Sequence, residues 1–227
     1  MQLPGLITVQ PEQTEELDAL ARMVGTCFLE EMWYVTWLAA LDELQGDVEG
    51  RKLQITQEVI RCDYEATAPY GCVLALPDGA GAANAYLRSE LGDVSWHELE
   101  EQSGTFLAEA LTEDEIDVLG PRIEALDLVS DTSWPLEVAA PDEDFIYFIS
   151  AGVSPESRGT GAFRRLISPF LDYADARGIK CYLDCYTDRL EQLYGHFGFQ
   201  VIERRSDPGF DLVERLMVRA PQPTAQS

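Results

Sequence analysis

Arg158-Gly-Thr-Gly-Ala-Phe163 places two residues that lack a Cβ between a strand-like run, Phe145–Val153, and a helix-like one. Glycines permit positive φ and close backbone approach, and the first N–H groups of the following helix have no intrahelical partner. A turn of this kind holds phosphate oxygens on backbone N–H groups at the positive end of a helix. Arg158, Arg164 and Arg165 also set three cations within eight residues, in a chain with 41 acids against 16 Lys and Arg. An anionic ligand accounts for that local exception, although an ordinary tight turn with exposed arginines accounts for the turn taken alone. A nicotinamide-type turn is disfavoured, because the three-glycine pattern and a preceding βαβ unit are both missing. Downstream, Leu193-Tyr-Gly-His-Phe-Gly-Phe199 sets Tyr194 on a short helix, beside whatever a phosphate-bearing ligand carries.

Other reactive side chains are less pointed. Asp184, within Cys181-Tyr-Leu-Asp-Cys185, and Glu30 or Glu31 are candidate bases among many acids that are ordinarily solvated. Cys27, Cys62, Cys72, Cys181 and Cys185 form an odd, scattered set without close zinc spacing, which reads as small buried hydrophobes in a reducing compartment. No base motif stands beside Cys181 or Cys185, so a covalent cysteine intermediate is not expected. His97 and His196 are too isolated for a metal site or a dyad; no metal is expected.

Periodicity supplies the framework around these residues. Leu6–Val9 reads as a first strand, and Thr14 caps a helix carrying Leu17, Leu20, Ala21, Val24, Cys27 and Phe28 at helical spacing. An aromatic-rich second helix runs from Met32 to Leu44, and a third from Leu53 to Tyr64. Gly71–Leu76 and Ala82–Arg88 flank Pro77-Asp-Gly as a β-hairpin. Residues 90–133 form an acidic helical insert broken at Gly104, Gly120 and Pro121, and residues 133–142 a connecting loop. A buried strand then ends near Val153. Phe163, Leu166, Ile167, Phe170, Leu171 and Ala174 mark a helix closing at Gly178. Lys180–Tyr186 is a strand placed parallel to the first by the helical crossover. A short helix at 189–196 and strands at 200–204 and 212–219 complete the chain, with 220–227 a loose, disordered tail.

With 227 residues, 46% of them hydrophobic and 10% aromatic, the chain has enough apolar surface for a sizeable core. No apolar run reaches membrane length, and the N-terminus shows no signal-peptide pattern, so a cytoplasmic location is expected. The formal charge of −25 repels nucleic acid and anionic membranes and attracts cationic ligands, amines among them. Solubility is the plainer cause of such a surface.

Val153-x-Pro155, Arg158-Gly-Thr-Gly-Ala-Phe163 and Tyr194-x-x-x-Gly-Phe199 together resemble the GCN5-related N-acetyltransferase superfamily, whose phosphate loop reads Gln/Arg-x-x-Gly-x-Gly/Ala. Within it the chain most resembles puromycin N-acetyltransferase-like members, on the insert, on Gly120-Pro-Arg122 and on Pro169 inside the loop helix. The resemblance implies one α/β domain over residues 1–219, with a mixed, mostly antiparallel sheet, an acyl-CoA-binding core at 144–219 and the insert at 90–133. It implies acetyl-CoA as co-substrate, held by Ala151, Gly152 and Val153 along the strand and by Arg158, Gly159, Thr160, Gly161, Ala162 and Phe163 at the pyrophosphate. Tyr194 would protonate the departing thiolate, and Trp33, Tyr34, Trp37 and Tyr86, with Asp184, would line the acceptor site; ordinary helix core is the plainer reading of those aromatics. The implied reaction is direct acetyl transfer to a primary amine of a small molecule, by a monomer or homodimer. The chain departs from the pattern in two places: Phe163 stands where glycine or alanine is usual, and the loop 186–190 lacks an asparagine that Thr187 or Asp188 would have to replace. A non-catalytic acyl-CoA-binding module and an acidic scaffold for a basic protein are the other readings.

Overall fold

The computed structural model describes residues 1–223, so Thr224–Ser227 of the expected tail lie outside the described residues. The strands are β1 (Ile7–Thr8), β2 (Val73–Ala75), β3 (Gly81–Leu87), β4 (Phe145–Val153), β5 (Lys180–Cys185), β6 (Gln200–Ser206) and β7 (Val213–Arg219). The helices are α1 (Thr14–Phe28), α2 (Met32–Leu38), α3 (Val48–Thr67), α4 (Trp96–Ala110), α5 (Glu113–Asp127), α6 (Trp134–Val138), α7 (Ala162–Arg177) and α8 (Asp188–Gly195). The strands form one sheet in the order β1-β2-β3-β4-β5-β7-β6, antiparallel except for β4 beside β5. This is the mixed, mostly antiparallel α/β architecture expected from the sequence.

The parallel pair decides the shape. β4 and β5 pair at Phe145–Lys180, Ile146–Cys181 and Tyr147–Tyr182, and no further. Beyond that point β4 stays on β3 as far as Val153, with a bulge at Ile149 where Asn84 faces Ser150 and Ala85 faces Phe148. Meanwhile β5 stays on β7 as far as Cys185. A bulge bends a strand and increases its twist, so the two halves of the sheet part. One face is covered by α7, which buries Leu166, Ile167, Phe170 and Ala174 against Phe148, Leu183 and Met217. The other face carries α1 and α3 over β2–β4, and a layer of aromatics from Tyr86 to Trp134.

Several helix boundaries differ from the sequence reading for identifiable reasons. α3 begins at Val48, because Asp47 accepts the Gly50 N–H as its cap. Gly104 lies inside α4, and Gly120 and Pro121 inside α5; the true breaks are set by capping boxes at Ser95/Glu98 and Thr112/Glu115. Pro121 removes only the N–H that would have bonded to exposed Asp117. The stretch 133–142 is not all loop, since Trp134 opens α6 and is fully buried. A bidentate pair from Arg51 to Glu115 (2.5 and 2.8 Å) ties α5 to α3 and holds that carboxyl down at about 2.

α1 reaches α3 at Gly25, where an added Cβ would lie 2.5 Å from the Gln57 Cα. Backbone, not a flexible side chain, would have to move. Gly25→Ala is therefore expected to destabilise the protein by about 1–3 kcal/mol, read as a lower midpoint in urea unfolding at unchanged slope.

Candidate active site

The parting strands leave the β5-facing edge of β4 beyond Tyr147 without a strand partner. Buried N–H and C=O groups need partners, so this edge is suited to an extended ligand that pairs as an added strand. Ala151, Gly152 and Val153 lie on it. The Val153 carbonyl accepts the Cys27 thiol at 3.1 Å, which fastens α1 to the strand's end.

At that end the chain enters the glycine turn. Gly159 (φ +76) and Gly161 (φ +85) occupy the left-handed region, and neither has anything within 4 Å of where a Cβ would stand. The space above the turn is open. Gly161 caps α7 without a side-chain bond, so the N–H groups of Ala162, Phe163 and Arg164 remain available at the positive helix end. Arg158 is exposed and has no acidic partner among the described residues. Arg165 pairs with Asp78 at 3.0 Å, and the Arg164 guanidinium lies 5.3 Å over the Phe197 ring. These last two arginines also line a groove of ≈ 570 Å³ with Pro77, Asp78, Pro169 and Asp172. Phe163 does not obstruct the turn. It lies in the first turn of α7, half-buried, with ring centroids 6.1 Å from Tyr194 and 5.7 Å from Phe197.

Tyr194 is held by the clamp on its helix. Thr187 caps α8 by accepting the Leu190 N–H, while Arg204 and Arg215 bond Glu191 from β6 and β7 at 2.8 Å each. Arg215 also bonds Asp188. Thr187 and Asp188 are thus engaged in fixing α8. Arg219 joins the Asp175 carboxylate to the Phe197 carbonyl, which fixes the turn after the helix. The Tyr194 ring packs on Phe163 and Phe199, and among the described residues its hydroxyl has no hydrogen-bond partner. Burial first, then the nearby Cys185, Glu31 and Asp184, hold its proton well above the usual phenol range.

Glu31 and Asp184, far apart in sequence, come together on the helix side of the sheet. Glu31 precedes α2; burial, and then Asp184, raise its carboxyl to about 7, while the N–H groups of Met32 and Tyr186 oppose the rise. Its Oε1 is buried without a partner among the described residues. Asp184 is raised by burial. The Tyr147 hydroxyl donates to its Oδ1 at 2.6 Å, the Tyr186 hydroxyl faces it, and the Trp134 Nε1 faces it without a well-directed bond. Glu30, the other candidate, is exposed.

The aromatic lining splits. Trp33 is half-buried, packed on Tyr34 and Trp37. Tyr34 is 8% and Trp37 2% exposed within an apolar cluster of Leu119, Leu126 and Leu212. Tyr86 is 2% exposed and stacked on Trp96 at 5.3 Å, so it is core and presents no surface to an acceptor.

Sequence reasoning missed Ser130, Tyr147, Tyr186 and Glu214. Ser130 bonds both the Tyr186 hydroxyl (2.6 Å) and Glu214 Oε1 (2.9 Å). A signal was present for Glu214: alternation puts it on the same strand face as Leu212 and Leu216, both buried, where a carboxylate needs a reason. Among the described residues, no His, Cys, Asp and Glu group is arranged to hold a metal ion, and no helix is long and apolar enough to cross a membrane.

No protein-family model and no curated protein sequence matches this chain. Solved structures do match it. An acetyltransferase structure covers 96% of this chain and 99% of its own, with TM-score 0.52 and 19% identity. An N-acetyltransferase from Staphylococcus aureus Mu50 covers 94% and 98%, with TM-score 0.53 and 17% identity. Arylalkylamine N-acetyltransferase 2 from Aedes aegypti covers 96% and 98%, with TM-score 0.52 and 14% identity. The fold is that of the GCN5-related N-acetyltransferases, as the motifs implied.

The thiols are chemically quiet in this setting. All five cysteines are free, and burial pushes Cys62, Cys72, Cys181 and Cys185 up to about 12. Only the thiolate is nucleophilic. In the native protein at neutral pH, iodoacetamide is expected to label half-buried Cys27 at least about tenfold faster than the other four, with all five labelled in denaturant, as read by peptide mass mapping.

Proposed function

We propose that the protein is an N-acetyltransferase that moves the acetyl group of acetyl-CoA to a primary amine of a small molecule by direct attack. The observation that carries this reading is the sheet opening after Tyr147, with the glycine turn following β4 and the helix that bears Tyr194 following β5. The open turn, its free N–H groups and unpaired Arg158 suit a pyrophosphate; the unpaired edge of β4 suits an extended, amide-bearing arm. When bound, acetyl-CoA supplies the activated thioester.

The chain's own residues supply the rest. Backbone N–H groups around Ala151–Val153 polarise the thioester carbonyl. Of the two clustered carboxylates, Glu31 acts more strongly on the Tyr194 phenol and keeps a free oxygen, so we assign it as the base. It takes a proton from the attacking nitrogen, a C–N bond forms, the C–S bond breaks, and Tyr194 gives its proton to the departing thiolate. One proton is taken and one given, and exchange with solvent resets both groups. A phenol whose proton is held tightly stays protonated until a strong base, the thiolate, forms beside it.

Tyr194→Phe is expected to lower kcat by about 100-fold or more with CoA affinity retained, measured by thiol release and by calorimetry. Tight CoA binding with no turnover on any amine would instead support a sensing module. A base serves only when ionised, so kcat should rise with pH through about 7. Glu31→Gln should remove that limb of the profile; a limb persisting in this variant counts against the assignment.

A further inference from the structure

The transfer consumes the nucleophile's charge, because the attacking nitrogen must be neutral. The amine that reacts therefore cannot also serve as the counter-ion of the carboxylates around it. The base, Glu31, must equally stay free to accept a proton. Asp184 and Glu214 remain: Asp184 is half-buried and Glu214 buried, the Tyr186 hydroxyl faces both, and burial and then Asp184 raise the Glu214 carboxyl.

Among the described residues, no protein cation forms an ion pair with either of them. Arg205 faces Glu214, yet it is held by Glu203 (2.8 Å) and Glu137 (2.9 Å). Arg215 faces Glu31 and Cys185, yet it is held by Glu191 and Asp188. Besides Glu31, which faces Asp184, the groups facing the pair among the described residues are Tyr147, Tyr186, Ser130 and the Trp134 indole, all neutral donors. Glu214 is 1% exposed, and its Oε2 has no partner among the described residues although Oε1 accepts from Ser130. A buried carboxylate oxygen left in this state is costly unless a proton or a cation comes to it. In low dielectric its field extends beyond contact distance.

We infer that the acceptor is a diamine or polyamine, whose second, unreacting ammonium is drawn to the Asp184/Glu214 carboxylate pair beside the attacking nitrogen. This deepens the acetyl-transfer reading above and rests on it. The acidic surface, −25 over the whole chain, raises the local concentration of such a ligand and adds to its capture.

The test compares three probes of matched length with acetyl-CoA: 1,4-diaminobutane, butylamine and 4-amino-1-butanol. The diamine is expected to exceed butylamine in kcat/KM by about 100-fold, the scale of a desolvated charge pair, with the amino alcohol close to butylamine. Glu214→Gln, which keeps the shape and the Ser130 bond, should shrink the diamine-to-butylamine ratio by about tenfold; a far-UV CD spectrum like the wild type's confirms folding. Equal turnover of diamine and monoamine overturns this inference while leaving the acetyltransferase reading intact. An amino alcohol as good as the diamine overturns it in favour of a hydrogen-bonding tail. Binding of acetyl-CoA with no amine acetylated overturns both.

Discussion

Two strands that pair for three residues and then separate set the form of the whole site. β4 and β5 are each committed on their other side, one to β3 and the other to β7, and the bulge at Ile149 turns the first away from the second. An unpaired edge inside a sheet is unfavourable unless something satisfies it. The gap thus leaves a strand edge free to pair without any loop being dedicated to it. Its two sides are continued by the segments that each strand leads into: the glycine turn after β4, and the short helix bearing Tyr194 after β5.

Around that gap the protein places rigid supports. Glu191 draws Arg204 and Arg215 together and Arg219 grips Asp175, so α8 is clamped from two strands. Such pairs add little to stability when exposed, but Arg219 and Asp175 are nearly buried and their geometry is bidentate. Their main consequence is positional, because they fix the phenol relative to the opening. Phe163 belongs to the same support. The residue that departs from the loop pattern packs against Tyr194 and leaves the turn's N–H groups clear.

On the other face the site carries charge that folding alone would not select. Asp184 faces both Glu31 and Glu214 and raises the proton affinity of each, after burial. Like charges held this close are unfavourable in the empty protein, and strong perturbations of this kind concentrate where chemistry is done.

Local sequence was enough to locate the turn, because only glycine accepts φ near +80° without strain and two stand at fixed offsets from a strand end. It was also enough for Tyr194's helix, the hairpin, α7 and the fold, since periodicity and capping write these into neighbouring residues. The capping boxes at Ser95 and Thr112 were legible too, though the glycines and Pro121 drew attention to the wrong breaks. Which of 41 acids matter was a decision of tertiary packing. Glu31, Asp184 and Glu214 come from three elements, and nothing local distinguishes Glu31 from exposed Glu30 until packing removes water from one of them. Tyr86 and Trp37 were separated from Trp33 in the same way, by which side chains the insert happened to cover. Burial is a property of the assembled layers, and the chemistry of a carboxylate follows its burial more than its place in the sequence.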